Sequence, residues 1–124
     1  MIGLVTPDYQ AIIRITIYGH DSEIRLELEA LIDTGFNGFL SLHPAIISQL
    51  TLPQTDIRAV ELADGSLIET KIYRANVSWP DPNHVVEVME ITGDNVIGML
   101  LLRDHELHIE VRDGGIVEIN PLRN

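Results

Sequence analysis

Ala30-Leu31-Ile32-Asp33-Thr34-Gly35 is the stretch that decides the fold of this chain of 124 residues. An apolar run typical of a buried strand stops at an aspartate, and a small hydroxyl residue and a glycine follow it. Gly35 lets the backbone turn through angles that a side chain disfavours. Such a loop can hold the Asp33 carboxylate in a cleft, with the Thr34 hydroxyl and neighbouring N–H groups fixing its orientation. The same tripeptide is also consistent with a plain turn at the end of a strand, because all three residues favour turns.

A second segment, Asn95-Val96-Ile97-Gly98-Met99-Leu100-Leu101, repeats the pattern of two apolar residues and a glycine. Together the two segments resemble the retropepsin-like aspartic proteases of clan AA, which carry D-[TS]-G after two apolar residues and I-I-G-x-x-L-L later in the chain. Phe36 extends the first motif to D-T-G-F, which looks like a bacterial branch of that clan. The resemblance runs from Ile12 to Ile119. It implies an all-β, retropepsin-like closed barrel with two short helices, one lobe per chain, in a single domain over residues 1–124.

The hydrophobic pattern by itself also predicts an all-β chain. Ile13, Ile15 and Ile17 alternate with polar residues, which places them on one face of a strand. The predicted strands are 14–18, 23–32 and 39–42, with a turn at Gly19-His20-Asp21-Ser22, followed by hairpins over 60–73 with Asp64-Gly65 at the tip, over 77–91 with Pro80-Asp81-Pro82-Asn83 as the connection, and over 107–119. The predicted helices are His43–Leu50 and Met99–Leu102. Many short strands with two short helices indicate a barrel or a sandwich.

The composition narrows the classes of partner. The formal net charge is −11 with 8 Lys and Arg residues, which argues against nucleic-acid binding because phosphate contacts need clustered cations. No apolar run is long enough to span a bilayer, and no basic segment precedes an apolar one at the N-terminus, so we expect no membrane association. The chain has 0 cysteines, which favours a reducing, cytoplasmic location.

The resemblance assigns the chemistry to Asp33, with Thr34, Gly35 and Phe36 in its loop. Hydrolysis of this kind needs two carboxylates that share one proton. One D-T-G motif per chain therefore implies a symmetric homodimer in which each subunit supplies one Asp33. The resemblance further implies that Thr34 of each subunit forms a hydrogen bond across the two-fold axis. No cofactor is implied, and the substrate is a peptide or protein.

The resemblance also implies a flap that covers the substrate, with Ala63, Asp64, Gly65 and Ser66 at its tip. Backbone N–H groups of a glycine-containing tip can pair with an extended peptide. A simple surface turn would contain the same residues, so this alternative stays open.

Two features depart from the retroviral members of the family. Phe36 stands where they usually have Ala or Ser, and its ring either narrows the substrate cleft or packs into the subunit core. The Leu107–Ile119 hairpin replaces a single short terminal strand. We expect this hairpin to take part in the dimer interface, because unpaired edge strands invite association.

Other hydrolytic chemistries lack their motifs. His105 and His108 are spaced by three on a strand-like segment, which sends them to opposite faces, so we expect no metal site. No Gly-x-Ser-x-Gly sequence is present. The sequence thus favours a homodimeric aspartic endopeptidase. The alternatives are a dimeric peptide-binding module of the same fold with weak or no hydrolysis, and a regulatory subunit that needs a larger partner.

Overall fold

The computed structural model describes residues 1–21 and 23–123, with residues 81–83 described by their backbone alone. Ten strands and two short helices follow one another as β1 (Ile2–Val5), β2 (Ala11–Tyr18), β3 (Arg25–Ile32), β4 (Leu40–Leu42), α1 (Pro44–Leu50), β5 (Gln54–Glu61), β6 (Leu67–Trp79), β7 (Asp81–Glu90), β8 (Val96–Ile97), α2 (Met99–Leu102), β9 (His105–Ile109) and β10 (Ile116–Pro121). The predicted all-β fold is confirmed. Across the described residues, no helix has the length and apolar character needed to cross a membrane.

The sheet closes on itself because β2 shares one of its edges between two neighbours. Its first residues pair with β1, and Ile17 and Tyr18 pair with Val77 and Asn76 of β6. The closed circuit then runs through β2, β6, β7, β4, β8 and β3. The hairpin partner β5 extends from β6, and the strands β1, β10 and β9 extend from β2.

Alternation of apolar residues fills the interior of this circuit. Ile13, Ile15 and Ile17 of β2 are at most 2% exposed, as the sequence pattern predicts. Trp79 is fully buried at the end of β6. Its ring lies 5.9 Å from that of His105. The terminal segment that carries β9 is therefore packed against the same core.

The boundaries of α1 follow from its capping residues. The Nδ1 atom of His43 accepts the N–H of Ala45 at 3.1 Å, and Pro44 occupies the first turn, where a missing N–H costs nothing. Thr51 ends the helix in the left-handed conformation, at a φ of 50°. The predicted helix is confirmed, with His43 as its cap.

Several predicted boundaries were wrong. Strand β1 was not predicted. The hairpin predicted over 60–73 begins earlier, at Gln54. Its first residues were missed because β5 is exposed on both faces over most of its length and so has no alternation to detect. Strand β6 runs without a break to Trp79, and β7 begins at Asp81. The connection between them is therefore shorter than the four residues predicted. Ser22 of the predicted turn lies outside the described residues.

The C-terminal hairpin is present as predicted. Strand β10 pairs with β1 on one side and with β9 on the other. Gly114 adopts a φ of 75° in the connecting turn, and its N–H donates to the carbonyl of Val5 at 2.9 Å. The hairpin is thereby held against the body of the barrel, with β9 at the end of the sheet.

Candidate active site

Asp33 follows the last residue of β3, beside the second apolar-glycine segment. Strands β3 and β8 are parallel, with Leu31 opposite Val96 and Ile32 opposite Ile97. The N–H of Asp33 donates to the carbonyl of Ile97 at 3.0 Å. The two motifs that the sequence singled out are therefore adjacent, and the second supports the backbone of the first.

The loop after β3 orients the Asp33 carboxylate. The N–H of Gly35 donates to Asp33 Oδ1 at 2.8 Å, and the N–H of Phe36 donates to the Asp33 carbonyl at 3.2 Å. Asp33, Thr34 and Gly35 are all exposed. The result is a carboxylate with one oxygen held by a backbone donor and with access to solvent, which suits it for exchanging a proton with a bound water.

Phe36 packs against the backbone of two glycines. A Cβ added to Gly38 would lie 2.6 Å from the ring, and one added to Gly98 would also lie 2.6 Å from it. The half-buried ring also borders a cleft whose wall includes Arg58 and Glu87. The ring thus covers the two glycines and forms part of the wall of this cleft, and both alternatives for its role stay predictions.

Three backbone hydrogen bonds fix the loop that carries Phe36. The N–H of Met99 donates to the Phe36 carbonyl at 2.8 Å, and that of Leu100 donates to the Gly38 carbonyl at 3.1 Å. The N–H of Gly98 donates to the Phe39 carbonyl at 3.0 Å. The start of α2 thus serves as a rigid support for the loop after Asp33.

An apolar cavity of about 360 Å³ opens beside Asp33. Apart from the carboxylate, its walls are mainly apolar and come from four parts of the chain. They include Tyr9, Leu31, Val96, Ile109 and Val111. A cavity of this size and character can accept an apolar side chain next to the carboxylate.

A second cleft, of about 210 Å³, lies between the Phe36 loop and the base of the β5–β6 hairpin. On its wall, Arg58 of β5 binds both carboxylate oxygens of Glu87 of β7, at 2.7 and 2.8 Å, and also binds Asp56 at 3.1 Å. The hydrogen bond from Arg58 lowers the pKa of Glu87, and the same bonds raise the pKa of Arg58. This ion pair ties the hairpin to the barrel.

The predicted flap tip lies at the end of that hairpin. Gly65 has a φ of 85°, which favours glycine. Asp64 Oδ1 accepts the N–H of Ser66 at 2.9 Å and its hydroxyl at 2.5 Å, and these bonds lower the pKa of Asp64. The four residues from Ala63 to Ser66 are exposed and line neither of the two cavities. Their contact with substrate stays a prediction.

Acidic and histidine side chains are the groups of this chain that could bind a metal ion. Within residues 1–21 and 23–123, no group of three or more such side chains is placed to hold a metal ion. On β9, His105 is half-buried and His108 is exposed. The Nδ1 atom of His105 lies 2.8 Å from the Arg103 carbonyl, so this ring is engaged with its own turn.

The sequence did not point to several residues of the site. Arg58 and Glu87 lie in different strands far apart in the chain, and only the fold brings them together. The cavity walls at Tyr9 and Val111 come from loops with no recognisable pattern. The one available signal for Arg58 was that it is the lone cation of an exposed strand, which is a common feature of such strands.

Comparison with known proteins shows a likeness in fold. No family model and no curated protein matches the chain. Among solved structures, the chain is similar to a retropepsin-like aspartic protease from Rickettsia conorii, with a TM-score of 0.62 and 14% sequence identity, over 99% of this chain and 91% of the other. The chain therefore has a retropepsin-like, all-β fold.

Proposed function

We propose that this protein is an aspartic endopeptidase that acts as a homodimer, with Asp33 of each subunit as the catalytic residue. The observation that carries the proposal is the Asp33 loop. In a retropepsin-like fold, an exposed carboxylate is held by the Gly35 N–H at 2.8 Å beside an apolar cavity. We also expect a place in the D-T-G-F branch and a cytoplasmic location, the latter because the chain contains 0 cysteines.

The reaction follows from two Asp33 carboxylates that share one proton. The ionised carboxylate takes a proton from a water molecule, whose oxygen attacks the carbonyl carbon of the peptide bond. The protonated carboxyl donates its proton to the carbonyl oxygen. The tetrahedral intermediate then collapses and the C–N bond breaks: the leaving nitrogen takes a proton from the aspartate that received it from water, and one hydroxyl of the intermediate returns its proton to the other aspartate as the carbonyl forms again.

Other residues of the loop would position these groups. The Gly35 N–H fixes one oxygen of Asp33 and so sets the direction of the carboxylate. Thr34 is exposed next to it, which leaves its hydroxyl accessible to the Thr34 loop of a partner subunit. We expect these two loops to hold each other in place across the two-fold axis.

The substrate class follows from the cavities and the hairpin. The apolar cavity beside Asp33 suits an apolar side chain next to the scissile bond. The exposed tip from Ala63 to Ser66 carries backbone groups that can pair with an extended chain. An unstructured peptide segment with an apolar residue at the cleavage site is therefore the expected substrate.

The experiment is cleavage of a mixed library of unstructured peptides, followed by mass spectrometry. We expect cuts next to apolar residues and inhibition by statine-type compounds, whose hydroxyl replaces the attacking water. Peptides that bind without being cut would contradict the proposed endopeptidase activity and would indicate the alternative, a peptide-binding module of the same fold. Activity that appears only after a second protein is added would indicate the other alternative, in which this chain is a regulatory subunit that needs a larger partner.

A further inference from the structure

We infer that Tyr9 is a specificity-determining residue of the proposed active site, and that its ring selects a substrate with an aromatic side chain beside the scissile bond. This inference rests on the proposed function and names the side chain that the cavity beside Asp33 takes. Three properties of Tyr9 support it, which are its backbone conformation, its exposure and its place in the wall of that cavity.

Tyr9 stands at a position where glycine is the usual residue. Strands β1 and β2 pair as far as Val5 and Ala11. Beyond that pair, the N–H of Thr6 donates to the carbonyl of Gln10 at 2.9 Å, and the residues between them form a three-residue hairpin loop. Tyr9, the last residue of the loop, has a φ of 61°, the left-handed conformation that such loops normally give to glycine.

Local hydrogen bonds hold Tyr9 in this strained conformation. Its N–H donates to the carbonyl of Thr6 at 2.9 Å, and the Thr6 hydroxyl accepts the N–H of Gln10 at 3.1 Å. A left-handed backbone at a bulky residue is unfavourable, and such strain concentrates at ligand-binding and catalytic sites. Burial does not offset the cost, because Tyr9 is 66% exposed. The side chain therefore contributes little to the stability of the subunit that carries it.

Tyr9 belongs to the wall of the cavity that contains the Asp33 carboxylate. Among the described residues of that wall it is the one with an aromatic ring, and most of the others are aliphatic, such as Leu31 of β3 and Val96 of β8. Because Tyr9 both lines the cavity and remains exposed, its ring lies at the mouth. A side chain that enters the cavity passes this ring.

The other residues with a left-handed backbone have no such relation to the cavity. Glycines aside, the described part of the chain has a positive φ at Thr51 and Asp104 as well as at Tyr9. Thr51 ends α1, and the carbonyl of Asp104 accepts the N–H of Leu122 at 2.9 Å. Neither Thr51 nor Asp104 lines the cavity beside Asp33.

An aromatic side chain of the substrate gains most from a ring at the mouth. Aromatic rings that meet edge to face or offset attract each other beyond the effect of the area that they bury. The cavity of about 360 Å³ has room for a ring between its aliphatic walls. A leucine side chain would enter the same cavity but would lack the contact between two rings. Because the loop fixes Tyr9 before the substrate binds, little ordering is needed at that moment.

The test is a competition between two peptides in one reaction with the full chain. An unstructured peptide that the protein cleaves is prepared in two forms, with phenylalanine or leucine at the apolar position beside the scissile bond. The ratio of the two initial rates gives the ratio of kcat/KM, which does not depend on how much of the protein is folded and dimeric. In Tyr9→Asn, the ratio of phenylalanine to leucine should fall by roughly threefold to tenfold relative to the wild type, the range expected for one contact between rings.

Two control variants separate the ring from the backbone. Tyr9→Phe keeps the ring and removes only the hydroxyl, so its ratio should equal that of the wild type. Thr51→Asn places the same new residue at another left-handed position, away from the cavity, so its ratio should also be unchanged. Because asparagine adopts the left-handed conformation readily, neither asparagine variant should unfold at a lower denaturant concentration than the wild type.

A ratio in Tyr9→Asn that equals that of the wild type would overturn the inference, and so would an equal fall in Thr51→Asn. A fall in Tyr9→Phe as large as that in Tyr9→Asn would assign the selection to the hydroxyl and contradict a contact between rings.

Binding separates a failure of this inference from a failure of the proposed activity. If the wild type cleaves no peptide, the proposed activity is contradicted, and the dissociation constants of the two forms of a bound peptide replace the rates. A preference for the phenylalanine form that disappears in Tyr9→Asn would then support the role of Tyr9 in a peptide-binding protein. Equal constants in the wild type would contradict that role.

Discussion

The backbone N–H of Asp33 donates to the carbonyl of Ile97 across 3.0 Å, so the loop that bears the proposed catalytic residue is fastened to the second glycine-containing segment. After Ile97, the N–H groups of Gly98 and of the first residues of α2 donate hydrogen bonds to carbonyls of the next residues of the loop. The arrangement explains why two short motifs, more than sixty residues apart, belong to one site. The first supplies the carboxylate and the second supplies its support.

The contact between Phe36 and Gly38 predicts that substitutions at these two positions have non-additive effects on the free energy of unfolding. Gly38→Ala should destabilise the protein by about 1–3 kcal/mol, because the nearest obstacles to the new methyl group are atoms of the Phe36 ring. In a Phe36→Ala background, the same substitution should cost close to nothing. Denaturant unfolding of the two single variants and the double variant measures the coupling.

Gly98→Ala provides the matched control for that cycle. Its new methyl group would clash first with the carbonyl oxygen of Gly38, which is backbone and cannot move aside. Removing the Phe36 ring should therefore leave most of the cost of Gly98→Ala in place. Equal rescue of both glycine variants would show that the ring is not the obstacle at Gly38.

The Arg58–Glu87 pair predicts a change in the motion of the β5–β6 hairpin. Arg58→Gln should accelerate hydrogen exchange over residues 54–73 while changing global stability little, because ion pairs at half-exposed positions contribute little to stability. Arg14→Gln, at another exposed ion pair, is the control. Equal exchange in the wild type and in Arg58→Gln would show that the pair does not restrain the hairpin.

The same pair predicts a pH dependence. Hydrogen bonding to Arg58 lowers the pKa of Glu87 below its ordinary value of 4.5. A lowered pKa in the folded state means that the pair contributes fully above the ordinary value and is lost as the pH falls through the lowered one. The NMR signals of the Arg58 Nη–H groups, which donate to Glu87, should be constant above pH 4.5 and shift below it. In Glu87→Gln this shift should be absent, and its persistence there would show that the Arg58–Glu87 pair does not cause it.

Dimerisation predicts a concentration dependence of the activity. If two copies form one site, the rate per chain should fall as the protein is diluted through the dimer dissociation constant. Sedimentation at the same concentrations gives that constant independently. A rate per chain that stays constant while sedimentation shows monomers would contradict the two-copy site.

The fold was largely predictable because its strands carry strong periodic signals. Ile13, Ile15 and Ile17 define β2 by alternation, and Pro44 marks the start of α1. Strand β5 could not be predicted because its exposed residues have no period. Closure of the barrel depends on pairs such as Ile17 with Val77, which are fixed by three-dimensional packing and leave no local pattern.

Only the centre of the candidate site could be predicted from the sequence. Asp33 and Gly98 stand in short motifs whose residue types are needed locally, one for a carboxylate and one for close backbone approach. The packing of Phe36 against Gly38 could not be deduced, because a phenylalanine suits either a cleft or a core. The pairing of Arg58 with Glu87 depends on how β5 and β7 flank β6, which the sequence does not specify.

The central claim is that one active site needs Asp33 from two subunits, and a subunit-mixing assay tests it most directly. Wild-type protein at fixed concentration is equilibrated with increasing amounts of Asp33→Asn, and peptide cleavage is measured. At equal amounts and with random pairing, about a quarter of the dimers carry two Asp33 residues, so activity per wild-type chain should fall by about half and approach zero in excess variant. The control is Asp21→Asn, which removes an exposed carboxylate with the same local hydrogen bond, here to the Glu23 N–H at 3.0 Å, and should leave the rate unchanged. Activity that stays at the wild-type level in excess Asp33→Asn, although mixed dimers form, would contradict the account.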